Sequence, residues 1–536
     1  MQLTHEQEEC RDTAIEMRPG DSMSIVAFAG AGKTSTLLEI IRCLDQIQHP
    51  SGRKSLGVYC AFNNSVAKSA EARLTGVNCA SKTMHAIAMA ALKEVNNSPD
   101  GKAYTMTIND IREFAGKRVL GNNWKTPVQG WSENRILHAA MKTVTKYCIS
   151  TDDNIYPHHA RAALIDMIGD PDTMKSPELI AKAQYAIKKL SDKIVDLAKT
   201  YFMHLYTNDY YTYDLAMKVL ELDPGLRNRT FGNVDYVVVD EAQDIDAVQI
   251  SLIKKLGAKT IVVGDPYQAI YSWRGAKNAL DQFDGKKLFL TQSFRFDERI
   301  AEIARRILAA RPDGGPKQRL IGAGDNVQRS PTKRAVICRT NAGMFVEAQK
   351  MITRGIDFHI EKSDTLLSEI KSATALRNGD RYQVSGRLSS FDNWKQVVAE
   401  SEAGDGSLGR LVEIIEGNQI DDMVKTIQAG SRKHGKDQVK IITAHGAKGD
   451  EFGEVRLGDD FKNVYELRDR YERALTKSQA QADQALEQFN VLYVGATRTE
   501  DQLYAYKQIL EEPDGGLRRD PPEEPVETPE LSVAGM

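Results

Sequence analysis

The sequence predicts an α/β protein with parallel sheets, built as two lobes that each carry a mostly helical insertion. Three observations predict it. Short, continuous, largely β-branched runs recur: SIVAF (24–28), GVYCAF (57–62), YVVVD (236–240), TIVVGD (260–265), RAVICR (334–339) and VKIITAH (439–445). Such runs suit strands covered on both faces. Helical patterns such as TSTLLEIIRCL (34–44) and ERIAEIARRILAA (298–310) lie between many of them, and this alternation argues for layered α/β units. Two stretches break the rhythm. Residues 90–230 read mostly helical, and residues 364–437 are polar, helical in places and punctuated by glycine.

In order, a first lobe begins at 1–89, a helical insertion fills 90–205, and the lobe resumes at 206–285. A second lobe begins at 286–363, takes a short insertion at 364–437 and resumes at 438–510. The tail, 511–536, is rich in proline and glutamate and is expected to be disordered. A chain of 536 residues is well beyond ordinary single-domain size.

Composition excludes more than it reveals. The 71 basic residues face 74 acidic ones, so a nucleic-acid partner would need a local basic groove. No apolar stretch approaches the roughly 20 residues of a membrane span, and the polar N-terminus is no signal peptide. Six scattered cysteines without a CxxC pair argue against a disulfide framework and fit a reducing, cytoplasmic compartment. His158 and His159 are adjacent but lack nearby partner ligands.

AFAGAGKT (27–34) sits between a strand and a helix and fits a phosphate-binding loop, with alanine in the first glycine's place. Ala29, Gly30, Ala31 and Gly32 let backbone N–H groups turn toward phosphate oxygens. Lys33 reaches the β- and γ-phosphates, Thr34 offers its hydroxyl to magnesium, and Ser35 follows on the helix. VVVDEAQD (237–244) brings Asp240 to a strand end as a second magnesium ligand, with Glu241 beside it to orient and deprotonate water. The two elements together imply hydrolysis of a nucleoside triphosphate with magnesium.

Further motifs follow in order: GDPYQAIYSWRGA (264–276), LTQSFRF (290–296), TAHGAKGDEF (443–452) and LYVGATR (492–498). The whole set closely resembles the UvrD/Rep-like branch of superfamily 1 DNA helicases. YCAFNNSVAKSAEARL (59–74), SKTMHAIA (81–88), LTQSFRF and GDDF (458–461) look most like the helicase region of F-box DNA helicases. The motifs span residues 3–504. The glutamine motif begins at Leu3, so no F-box is expected upstream, and the second insertion is short for the branch.

The resemblance implies two RecA-like P-loop lobes with ATP and Mg2+ between them. Gln7 would meet the adenine edge, Phe294 would stack on its face, and Glu451 would bind the ribose. Arg295, Arg498 and Gln268 would address the γ-phosphate, the arginines acting as a finger in cis. Phe62, Asn63, His85, Tyr271, Trp273 and Arg274 would hold single-stranded DNA, because aromatic faces stack on any base; Lys68 could add a backbone contact. Tyr271 and Trp273 also suit core packing beneath a loop.

The implied activity is an ATP-dependent DNA helicase that translocates 3′→5′ on single strands, acts at duplex junctions and serves repair, recombination or replication. Three other readings stay open: a translocase that strips bound proteins with little unwinding, an adaptor whose ATPase has decayed, and an RNA substrate. The chain is expected to be monomeric without DNA and to avoid membranes; its acidic tail is expected to be a solvated terminus, with binding of a protein partner as the alternative.

Overall fold

The computed structural model describes residues 3–47, 49, 51–93, 102–121, 125–174, 176–272, 275–323, 333–391, 393–402, 406–417, 420–431, 435, 438–504 and 507–511. The expected disordered tail therefore lies almost wholly outside the described residues, as do Trp273 and Arg274.

The first sheet contains β1 (Ser22–Ala27), β2 (Gly57–Ala61), β3 (Cys79–Thr83), β4 (Tyr236–Val239), β5 (Lys259–Gly264) and β6 (Lys286–Leu290), in the order β3-β2-β4-β5-β1-β6. Every pairing is parallel. β2 and β4 are buried along their whole length, which is why their sequences are continuously apolar.

One boundary moves. Lys286–Leu290 was expected to open the second lobe, but it pairs with β1 as the first sheet's edge, Leu288 and Leu290 buried in the same core as Ile25. Gly285 permits this, because a Cβ there would lie 1.5 Å from the Ser22 carbonyl oxygen. β7 (Gln292–Asp297) and β8 (Ile321–Ala323) follow as a separate pair. The second sheet contains β9 (Arg334–Cys338), β10 (Phe358–Ile360), β11 (Val439–Thr443), β12 (Phe452–Leu457) and β13 (Thr499–Tyr504), all parallel, in the order β10-β11-β9-β12-β13.

Helices Glu133–Cys148, Pro157–Ile168 and Pro177–Thr207 form the main part of the first helical region. Ser132 and Ser176 cap two of them, and proline starts two, where its missing N–H costs nothing. The last of these helices runs past the expected end at 205. Leu137, Val144, Leu190 and Leu215 share one core with Val237 and Val262 of the first sheet, so this region is packed onto its lobe. Helices of the second insertion bury Leu388, Trp394, Leu411 and Ile427 against Val336 and Ile441 of the second sheet. A further cluster joins Phe28, Ala29 and Ile270 of the first lobe to Phe296, Phe489 and Tyr493, so the lobes meet through a continuous apolar contact.

Among the described residues no helix is long and apolar enough to cross a membrane. His159 Nδ1 accepts from the Tyr156 amide at 2.9 Å, so in the neutral ring Nε2 carries the proton toward Asp152, 2.9 Å away. His159 thereby serves as a helix cap.

Candidate nucleotide and DNA site

The loop after β1 turns on two left-handed glycines, Gly30 (φ 73°) and Gly32 (φ 75°). Gly30 is required twice over: a Cβ there would lie 2.5 Å from Ser293 Oγ and 2.6 Å from Arg295 Cβ. β7 lies across this loop, and the Phe294 amide donates to the Gly30 carbonyl at 2.8 Å. Helix Lys33–Gln46 starts directly behind it, giving the loop a positive end for phosphate.

Asp240 closes β4. Its Oδ2 accepts from Tyr59 at 2.6 Å and from Thr34 Oγ1 at 3.4 Å, and its Oδ1 accepts from the Glu241 amide at 2.9 Å. A hydroxyl and a carboxylate face to face are hard oxygen donors of the kind Mg2+ takes beside phosphates and water, so the residues fit the ion. Glu241 has a left-handed backbone (φ 52°), which costs a non-glycine residue about 1–2 kcal/mol. Gln243 helps to hold it there, donating to its carboxylate at 2.5 Å. Lys33 Nζ lies 3.6 Å from Glu241. Burial alone would raise the Glu241 carboxyl, but Lys33, Lys448, Gln243 and Arg498 outweigh it and hold it down to about 2. Burial, then the charge of Glu241, raises Asp240.

The far wall belongs to the second lobe. Arg498 is 2% exposed and donates to Gln268 Oε1 at 3.1 Å, while Gln268 donates to Asp265 at 2.8 Å. Burial and the neighbouring Arg295 push the Arg498 guanidinium down to about 9, so it stays cationic at neutral pH. Arg295 pairs with Glu451 and donates to the Thr497 carbonyl at 2.9 Å. Both the expected ribose ligand and one expected arginine are thus engaged with each other.

Phe294 is 46% exposed beside Gly32, an available aromatic face. Gln7 is buried: its Oε1 accepts from the Thr4 amide at 3.0 Å and its Nε2 donates to Thr36 at 3.0 Å. A primary amide has two N–H donors and two lone pairs, so one of each remains for a base edge. Ala29 and Ala31 are buried in the loop, and Ser35 is half-buried on the helix.

On the face expected to meet DNA, Phe62 and Tyr271 stack with centroids 5.8 Å apart. Lys448 lies 5.8 Å and 5.2 Å from these rings. With Asn63 and His85 they line a cavity of about 980 Å³ that reaches Asp240 at one side and Lys142 of helix Glu133–Cys148 at another. Two expected contacts have local partners. Asn63 Oδ1 caps helix Asn64–Arg73 at 2.9 Å, leaving its NH2 group, and His85 lies 3.6 Å from Asp214.

Residues 7–285 match the UvrD/REP helicase N-terminal domain, and residues 200–508 match the UvrD-like helicase C-terminal domain. The chain belongs to the UvrD/REP helicase family. It is similar to F-box DNA helicase protein 1 of Schizosaccharomyces pombe, 26% identical over 91% of this chain and 56% of that protein. It is also 26% identical to F-box DNA helicase 1 of Gallus gallus, over 94% of this chain and 49% of that one. PcrA of Staphylococcus epidermidis is 24% identical over 55% of this chain and 38% of its own. The chain spans about half the length of the F-box relatives.

In this UvrD/REP-family chain the structure adds residues that carried no role in the sequence reading. Lys448 pairs with Asp244 and donates to the Gln268 carbonyl at 2.6 Å, crossing the lobes. Tyr493 accepts from the Ala29 amide and donates to Asp265, both at 3.2 Å. Asn490, one helical turn earlier, donates to the Ala269 carbonyl at 2.8 Å. Tyr59 holds Asp240. All four lie in or beside quoted motifs; the pairing, not the motif, was the missing information.

Proposed function

We propose that the chain is an ATP-driven motor that moves 3′→5′ along single-stranded DNA and opens duplexes. The observation that carries this reading is Arg498: a buried second-lobe cation hydrogen-bonded to Gln268, across a cleft from Lys33 and Glu241. Phosphoryl transfer needs positive charge at the γ-phosphate, and an arginine supplied from the opposite lobe makes that charge depend on closure. ATP then favours the closed state by its differential affinity for it.

In this mechanism the loop amides and Lys33 hold the phosphates. Thr34 and Asp240 hold magnesium, which supplies charge neutralisation on the phosphate oxygens. Glu241, already ionised, orients the attacking water and takes its proton. Phe294 stacks on adenine while Gln7 reads its edge with the donor and lone pair left over. The Phe62–Tyr271 stack meets bases. Lys448 touches both this stack and the end of the DEAQD motif, which gives strand binding a route to the hydrolytic site. The direction of travel rests on the family resemblance.

The test is DNA-stimulated ATP hydrolysis together with strand displacement from 3′- and 5′-tailed duplexes. Hydrolysis that single strands do not stimulate would refute the motor, and unwinding only from 5′ tails would refute the direction. The compact second insertion, packed into its own lobe, favours a second reading in which the motor mainly strips bound proteins. Comparing duplex unwinding with displacement of a bound protein separates the two.

A further inference from the structure

Tyr59 stands on β2, in register with Val238 of the adjacent β4, two residues before the magnesium-binding carboxylate. Its ring is fully buried. Its hydroxyl donates to Asp240 Oδ2 at 2.6 Å, the shortest of the three hydrogen bonds described above for that carboxylate. The opposite oxygen is fixed by the Glu241 amide. A tyrosine hydroxyl is an uncharged hydrogen-bond donor. That neutrality matters chemically. A lysine or arginine in this place would also fix the carboxylate, but its charge would compete with a bound cation for the same oxygen. A phenol pins the rotamer and leaves the carboxylate charge for the ion.

We propose that Tyr59 is a positioning residue for the magnesium ligand Asp240, setting how tightly the nucleotide site holds its divalent cation. The proposal rests on the reading of Asp240 and Thr34 as the magnesium ligands. Partners that orient a metal ligand typically contribute 10–100-fold in metal affinity.

The test uses the full chain with a non-hydrolysable ATP analogue and Mn2+ as an electron paramagnetic resonance probe. Tyr59→Phe keeps the ring and removes the donor. Mn2+ affinity should fall by about 10–100-fold, while nucleotide affinity measured in EDTA stays at the wild-type value. The Mg2+ concentration for half-maximal hydrolysis should rise by the same factor, with full turnover recovered at saturating Mg2+. Unchanged Mn2+ affinity overturns the proposal. So does a loss of turnover that no Mg2+ concentration restores, or failure of Tyr59→Phe to fold, since either makes the hydroxyl structural. Asp240→Asn isolates the underlying reading: if that variant still binds Mn2+ like wild type, the ligand assignment itself fails, whatever Tyr59→Phe does.

Discussion

Replacing Lys448 with methionine tests whether the lobes are coupled through one buried cation. The Lys448 side chain is 4% exposed, pairs with the fully buried Asp244 and donates to the Gln268 carbonyl at 2.6 Å. Hydrogen bonds of a charged group contribute about 1.5–3 kcal/mol. Orphaning a buried charge costs more, about 3–5 kcal/mol. Asp244 escapes that larger penalty, because burial has already raised its carboxyl to about 7 and it takes up a proton when its partner is lost. The interlobe loss is therefore about 1.5–3 kcal/mol, or about 10–150-fold in the closed population. Methionine keeps an unbranched stem and removes the ammonium, which also lies over the Phe62 and Tyr271 rings. The assay is energy transfer between dyes on the two lobes, with a non-hydrolysable ATP analogue and single-stranded DNA, read beside DNA-stimulated turnover. Closure and stimulation should fall together while basal hydrolysis falls less. Wild-type closure in Lys448→Met would refute the coupling argument.

Other outcomes follow from the same geometry. Glu241→Gln should keep ATP binding and lose about 10²–10⁴-fold in turnover; Lys33→Ala should abolish turnover, and steady-state rates near wild type in either would refute the site. Gln268→Ala removes the acceptor of Arg498, so DNA binding measured by anisotropy should persist while stimulation of hydrolysis by DNA drops. The Asp244–Lys448 pair needs the carboxylate, so stimulated hydrolysis should weaken as pH falls below about 7, and Asp244→Asn should remove that acid limb from the pH profile. Fold stability runs the other way: folded Asp244 holds a proton that the unfolded chain releases above about pH 4, so its contribution declines as pH rises from 4 to 7. Urea melts of wild type and Asp244→Asn across that range check the sign.

Six of the seven interior strands were legible because burial on both faces writes itself as continuous β-branched runs; the seventh, β12, reads FGEVRL, and its Glu454 and Arg456 break the run. The edges were not legible. β3 reads CASKT and is buried only in places, and β10 has three residues, too few for any period. Lys286–Leu290 carries a strand pattern, but nothing local says which sheet it joins. The phosphate loop and DEAQD were legible because backbone and side chain act within a few residues. Lys448 to Asp244 and Tyr59 to Asp240 join groups about 200 residues apart, so neither spacing nor pattern could announce them. At Gln7 a local role went unread. THEQ is a capping box, and the side chain assigned to adenine also fastens its own helix.

Asn490, Tyr493 and Arg498 descend from one rod, helix Gln479–Ala496 and the residues just beyond it, over roughly 12 Å at helical rise. In the proposed motor a widening cleft would release the Ala269 carbonyl, the Ala29 amide and Gln268 in a single throw, because one rod carries all three contacts, and closure would regain them the same way. A weakened contact should then change how often the throw occurs and leave its length untouched, so a damaged variant would pause more and still take strides of normal size.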